Sequence, residues 1–345
     1  MGTSPRAPLI VYLSPTELCN FHCKMCKIGR PDSIDPKEEM DTERILSLLV
    51  EMKECGTKIL GIWGGEPLIH KDLDRILKAA HSLGMYIYLT TNGYLLTEEK
   101  RKVLIDSGVN SVSVSLDHTT AEGHDKLRGK EGAFDHVTLG TKELVNEGKG
   151  RLNIGINMLV HKKSISEIVP MAKFSKNLGI HWLKFMPAHA GYPFNDKLFE
   201  DSEMLFSQDD IERLEQAIKE ARTILRREGL YTNSLPYLQG MIKYFKGEDL
   251  SHICHAGYLT ANVSSIGNVT ICTKDKRIAG NVKNKHFREV WFSEEFERIR
   301  KHPNRAVCHH CWQSCFAEPS LRLNLSFHLR NISTSLKELA FVGKV

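Results

Sequence analysis

The sequence predicts an α/β protein, a partial (β/α)6 barrel followed by a small cysteine-bearing C-terminal domain. Three observations carry this reading. Short apolar runs alternate with longer amphipathic stretches six times between about residues 9 and 186. The alternation stops after about residue 190. Eight of the nine cysteines then fall into two tight groups, one in each part of the chain. The expected division is a barrel over 9–190, a helical insertion over 191–253, the cysteine domain over 254–320, and a tail over 321–345 that packs on the body.

The apolar runs Leu9–Leu13, Ile59–Trp63, Tyr86–Thr90, Ser111–Ser115, Asn153–Met158 and His181–Met186 read as buried strands. Between them, Ile45, Leu48, Leu49 and Met52 share one helix face, and further helices fit 71–82, 97–107, 133–147 and 164–178. Strands alternating with helices imply parallel pairing through right-handed crossovers. Six units are fewer than the eight of a closed barrel, which leaves a partial barrel or an open sheet. Residues 194–207 read as a loop, after which Ser207 and Asp210 open a helix with Ile211, Leu214, Ile218, Ala221 and Leu225 on one face. The period of two from Leu321 to Arg330 predicts an edge strand, and Ser333–Phe341 an amphipathic helix.

Composition narrows the function. With 345 residues, 41% of them hydrophobic, the chain can bury a large core. The net charge of +5 is spread among interleaved charges without a basic block, so no nucleic-acid partner is expected. No run of about 18 apolar residues suggests a spanning helix. Met1–Pro8 lacks the apolar core of a signal peptide, and a cytoplasmic address is expected. An odd number of cysteines in close groups suits metal ligation in a reducing compartment better than disulfides. Cys55 stands alone behind a helix face and reads as a core residue.

Cys19, Cys23 and Cys26 follow the first strand with Cys-x3-Cys-x2-Cys spacing and no fourth cysteine nearby. Three thiolates on a four-iron cluster leave one iron open to a small molecule. A zinc site with His22 as fourth ligand is the alternative. Gly64-Gly65-Glu66-Pro67 closes the second strand. Its glycines permit close backbone approach and Glu66 offers an acceptor to an ammonium group, although a plain strand-end turn has the same look. Asn92 lies in a Thr-Asn-Gly turn after strand three, Ser115 ends strand four, Arg128 follows shortly after, and Asn157 lies in strand five. Each reads either as a cofactor contact or as a solvated or capping residue.

Together these residues resemble the radical S-adenosylmethionine (SAM) superfamily. The resemblance implies that Cys19, Cys23 and Cys26 hold a catalytic [4Fe–4S] cluster whose open iron is chelated by the cofactor's methionine group. A 5′-deoxyadenosyl radical then takes hydrogen from a substrate. It also implies that Gly64, Gly65 and Glu66 hold the methionine amine, that Ser115 touches the ribose or methionine end, that Arg128 meets the methionine carboxylate, and that Asn92 and Asn157 lie along the cofactor. Met25 stands where the family usually carries an aromatic residue beside the adenine.

The second group has Cys254, Gly267 and Cys272 in Cys-x12-Gly-x4-Cys spacing, then Cys308-x2-Cys311 and Cys315. Four thiolates suit zinc and iron–sulfur equally. The pattern resembles the twitch form of the SPASM extension, which implies one auxiliary [4Fe–4S] cluster. Cys254, Cys272, Cys308 and Cys311 are the favoured ligands. Cys315 is one thiol too many and replaces one of them, stays free or faces substrate. The resemblance further implies a reducing partner such as flavodoxin or ferredoxin, and a carbohydrate-like small molecule or a peptide as substrate for oxidation, epimerisation or crosslinking. No side chain stands out as catalytic acid, base or hydrogen donor. A zinc-stabilised binding protein is the rival of another class.

Overall fold

The computed structural model describes residues 7–28, 35–189, 206–250, 252–304, 308 and 311–323. The first part runs β1 (Ile10–Leu13), α1 (Thr42–Cys55), β2 (Ile59–Ile62), α2 (Leu73–Ser82), β3 (Tyr86–Thr91), α3 (Glu98–Asp106), β4 (Ser111–Ser115), α4 (Ala121–Arg128), α5 (Ala133–Glu147), β5 (Asn153–Val160), α6 (Ile168–Asn177) and β6 (Trp182–Pro187). After it come α7 (Gln208–Arg227), α8 (Leu235–Lys246), β7 (Thr260–Val263), β8 (Asn268–Thr270), β9 (Gly280–Asn281), α9 (Phe287–Trp291), α10 (Glu294–Lys301) and α11 (Ser314–Arg322).

Local chemistry sets the helix ends. Asp41 caps α1 by accepting from the Arg44 N–H, and Gly56 ends it in the left-handed region at φ 107°. Ser207 and Asp210 close a reciprocal capping box at the start of α7. Two expectations change. The stretch up to Arg128, to which the sequence assigns no helix, is α4, started by a Thr120 cap and stopped by Gly129. Leu321 and Arg322, read as the start of an edge strand, close α11 instead. The rest of that strand, the helix at 333–341 and most of the loop at 194–207 lie outside the described residues.

All described strands join one sheet in the order β6-β5-β4-β3-β2-β1-β7-β8-β9. Strands β1 to β6 are parallel neighbours, as a partial (β/α)6 barrel requires, and β7 pairs parallel with β1. The carboxyl ends of β1 to β6 therefore share one rim, where chemistry gathers in such folds. Strands β8 and β9 add antiparallel.

The two faces of the barrel strands differ. One face is fully buried and apolar, with Val11, Leu13, Ile87, Leu89, Leu183 and Phe185 packed under the helices. The opposite, inner face carries the partly exposed Tyr12, Tyr88, Thr90, Lys184 and Met186. A full barrel would fill its interior with interlocking apolar layers; this inner face carries polar and partly exposed side chains instead. Helix α11 reaches side chains of both β1 and β6 on this inner face. The Phe316 ring meets the Tyr12 ring edge-on at 5.7 Å, the Tyr12 hydroxyl donates to the Cys315 carbonyl at 3.0 Å, and Ser314 Oγ lies 3.2 Å from Met186 Sδ. Trp312 fastens α11 to α8, donating from Nε1 to the Tyr237 carbonyl at 2.8 Å.

At the base of the chamber the Trp182 indole lies on Gly155, where a Cβ would come within 1.9 Å of the ring. Gly155→Ala is expected to force the indole aside and cost about 1–3 kcal/mol. A lower urea midpoint for the variant checks this; an unchanged midpoint contradicts the packing.

Candidate active site at the strand ends

The cysteine loop after β1 is pinned from two sides. Glu39 Oε1 accepts from Thr16 Oγ1 at 3.1 Å and from the Glu17 N–H at 2.7 Å. The end of β2 holds the other side, with the Gly65 N–H donating to the Thr16 carbonyl at 3.0 Å and the Glu66 N–H to the Leu18 carbonyl at 2.8 Å. A Cβ on Gly64 would meet Ser14 Oγ at 2.1 Å, and one on Gly65 would meet the Leu18 carbonyl oxygen at 2.1 Å. Gly64 also has φ 128°. These glycines therefore admit the cysteine loop itself to close backbone contact, a role that the sequence reading had given to a ligand.

Glu66 is fully buried. It accepts from Thr91 Oγ1 at 2.7 Å, the Asn92 N–H at 2.7 Å and the Leu68 N–H at 3.1 Å. Burial pushes its carboxyl up to about 7, although all three donors favour the carboxylate. Asn92 donates from Nδ2 to Asn20 Oδ1 at 2.7 Å, and the same nitrogen lies 3.9 Å from Cys19 Sγ. A continuous polar chain thus links β2, β3 and the first thiol.

On the other flank Arg128 Nε donates to Asp117 Oδ2 at 2.6 Å, and the guanidinium also bonds the Cys23 side chain. Asp117 Oδ1 accepts from the Leu159 N–H at 2.9 Å. Burial raises the Asp117 pKa, but Arg128, then His124 and the hydrogen bonds, hold it below the ordinary carboxylate range. Arg128 is thus already engaged by an internal carboxylate on one edge. Met25 is buried with Leu127, Leu159 and Ala188. Ser115, at the end of β4, and Asn157, in the middle of β5, are register partners. Asn157 is 7% exposed, and its Oδ1 has no partner among the described residues.

The three thiols lie close enough that Cys23 and Cys26 each act electrostatically on Cys19, which burial pushes up to about 12. His22, the alternative fourth ligand, is exposed. Among the described residues no three His, Cys, Asp or Glu side chains converge on a single metal ion; the three thiols, with a buried carboxylate and a buried amide oxygen nearby, are the donor types that a cluster with one open iron and a polar cofactor would use. Asn20, Thr91, Asp117 and Glu39 belong to the same network and were not singled out from the sequence. Asp117 had a signal, since it ends the Ser-Leu-Asp run of β4. Glu39 had none, because only the fold brings it to Thr16.

In the C-terminal part four thiols form a second set. Cys254 and Cys311 act on Cys272, and Cys254 acts on both Cys308 and Cys311. Burial pushes Cys308 and Cys311 up to about 11, and the Asp275 N–H donates to Cys272 Sγ at 3.3 Å. Cys315 stands apart. Its charged neighbour is Lys184, and its side chain bonds Tyr12 and Ser314.

A family model described as the radical SAM superfamily matches residues 13–175, and one described as an iron–sulfur cluster-binding domain, SPASM, matches 254–312. An AdoMet-dependent heme synthase of Methanosarcina barkeri is 30% identical over 301 residues, covering 85% of each chain. The chain belongs to the radical SAM superfamily. Its cofactors are S-adenosylmethionine and a catalytic [4Fe–4S] cluster, with auxiliary iron–sulfur ligation in the SPASM domain. As a radical SAM enzyme it requires a reductant. A PqqA peptide cyclase of Methylocella silvestris is 26% identical over 81% of this chain and 72% of that protein. The structure of Streptococcus suis SuiB bound to S-adenosylmethionine shares the fold, with TM-score 0.67 and 20% identity over 86% of this chain and 68% of that one. Among the described residues no helix is long and apolar enough to cross a membrane.

Arg128→Gln is expected to destabilise the enzyme by about 3–5 kcal/mol, because it strands the buried Asp117 carboxylate. The Asp117 pKa is depressed below its unfolded value of 3.8. The pair's contribution is therefore complete above that value and is lost as pH falls through the folded pKa. Urea titrations of native and variant enzyme at pH 8 should show a lower midpoint for the variant; equal midpoints contradict the pairing.

Proposed function

We propose that this radical SAM enzyme oxidises a small organic substrate held in the polar chamber inside its barrel. The observation that carries the reading is the inner face of the sheet. It leads from the three thiols at the strand ends to Tyr12, Tyr88 and Lys184 rather than to an apolar core. In this reading Cys19, Cys23 and Cys26 ligate the catalytic cluster, and Cys254, Cys272, Cys308 and Cys311 the auxiliary one. Bound there, the clusters would supply one-electron cleavage of S-adenosylmethionine for hydrogen-atom abstraction from the substrate, with an acceptor for the electron left on it. The protein's own part is to orient and to exclude water. Gly64, Gly65 and Glu66 face the methionine amine, and Arg128, steadied by Asp117, faces the methionine carboxylate. Asn92, Ser115 and Asn157 line the cofactor, and Met25 packs beside the adenine.

A small molecule is favoured because the heme synthase match covers 85% of both chains. A peptide substrate is the second reading, supported by the peptide cyclase match. Ferredoxin or flavodoxin is the proposed electron donor.

After anaerobic reconstitution with dithionite, the native enzyme should form 5′-deoxyadenosine and Cys19→Ala should not. Absence of the nucleoside from native enzyme with filled sites would sink the radical reading. Cys272→Ala should lose about four irons per chain yet still form 5′-deoxyadenosine, measured by iron and sulfide content beside the same assay. An unchanged iron count removes Cys272 from the ligand set.

A further inference from the structure

The inner face of the barrel contains a cation that the proposed cofactor contacts do not use. Lys184, in the middle of β6, points into the chamber, its ammonium 4.7 Å from the Trp182 ring centroid and 5.8 Å from that of Tyr88. Among the described residues no carboxylate lies within ion-pairing distance of it. Glu318 acts on it only from farther away, and Glu318 Oε1 already accepts from the Ser234 N–H at 3.1 Å. The other nearby cation, Arg322, is bound to the Tyr231 hydroxyl and lies 3.9 Å from Glu318. A half-buried ammonium facing two aromatic rings and no anion costs desolvation energy that a bound anion would offset.

A second observation is the exposed thiol beside this ammonium. Cys315, on α11, is exposed to solvent, yet desolvation by the surrounding protein raises its thiol pKa. The charge acting most strongly on this thiol is Lys184.

We infer that Lys184 is the anchor for a carboxylate group of the substrate, which lies against Tyr88 and Trp182 with Cys315 at its side. This inference rests on the proposed function, since it names the chemical class that occupies that chamber. One ammonium balances one carboxylate, whereas a phosphate dianion is usually met by several converging donors. The cofactor's own carboxylate is the competing occupant, and the test separates the two.

Cys315 supplies the reporter. The full-length enzyme, with both clusters loaded and S-adenosylmethionine bound, is alkylated anaerobically with iodoacetate or with iodoacetamide. The labelling rate of Cys315 is read by peptide mass mapping. Both reagents attack through the thiolate, so the ratio of their rates cancels any change in thiol pKa. That ratio is compared with the ratio for N-acetylcysteine. An anchored carboxylate should raise it about tenfold over the free thiol. Lys184→Gln should return it to the free-thiol value, and Lys184→Arg should keep most of the preference. A native ratio equal to that of the free thiol overturns the proposal, as does a preference that survives in Lys184→Gln. A preference seen only without S-adenosylmethionine assigns Lys184 to the cofactor and also overturns it. Failure of either reagent to label Cys315 denies the open chamber. None of these readouts requires turnover, so a native enzyme that makes no 5′-deoxyadenosine but shows the ratio loses the radical reading and keeps the anion site.

Discussion

Two backbone hydrogen bonds, from Gly65 to Thr16 and from Glu66 to Leu18, lay the end of β2 directly on the loop that carries the first cysteines. No side chain fits between them, because a Cβ on either Gly64 or Gly65 would overlap the loop. Once that contact is made, the rest of the rim follows. Glu66 turns inward and fixes Thr91 and Asn92, and Asn92 reaches Asn20 and the Cys19 sulfur. The loop's own carbonyls are satisfied by a neighbouring strand, so its geometry does not depend on the metal alone. A preformed site loses less ordering entropy when it is filled.

The thiols themselves are arranged against charge. Burial raises the pKa of Cys19 and Cys23 in the first group and of Cys254, Cys272, Cys308 and Cys311 in the second. At neutral pH they are therefore protonated when no metal is present, and loading each site releases protons. Arg128 opposes this at Cys23, where its guanidinium favours the thiolate. Its pairing with Asp117 keeps that positive charge from being fully spent on the sulfur. The sulfur ligands and the internal ion pair thus form one electrostatic unit.

Periodicity made the barrel legible. Runs such as Tyr86–Thr91 and Ser111–Ser115 sit within a residue or two of their places in the sequence reading. The short helix α4 escaped because its Gly and charged residues look like a loop, and its apolar contribution is nearly limited to Leu127. The alternation at Leu321 deceived because two residues of a period-two pattern fit a helix end equally well. At the site, the motif residues were readable because cysteines and glycines are rare and closely spaced. Asp117, Glu39 and Asn20 were not, since their roles come from contacts that span strands. The inner face of β6 was hidden for the same reason: Lys184 reads as an ordinary strand lysine until the curvature of the sheet encloses it.

The pairing of β7 with β1 has a consequence during synthesis. One edge of β1 is taken by β2 about fifty residues later, but its other edge waits for residues 260–263. Until that distant segment leaves the ribosome, the nascent sheet carries an open parallel edge next to three reactive thiols. An unpaired strand edge is a template for association with other chains, and incompletely assembled intermediates of large proteins are prone to it. Completion of the sheet beside β1 is therefore a late event in the synthesis of this chain, and a product truncated before residue 260 would leave that edge unpaired.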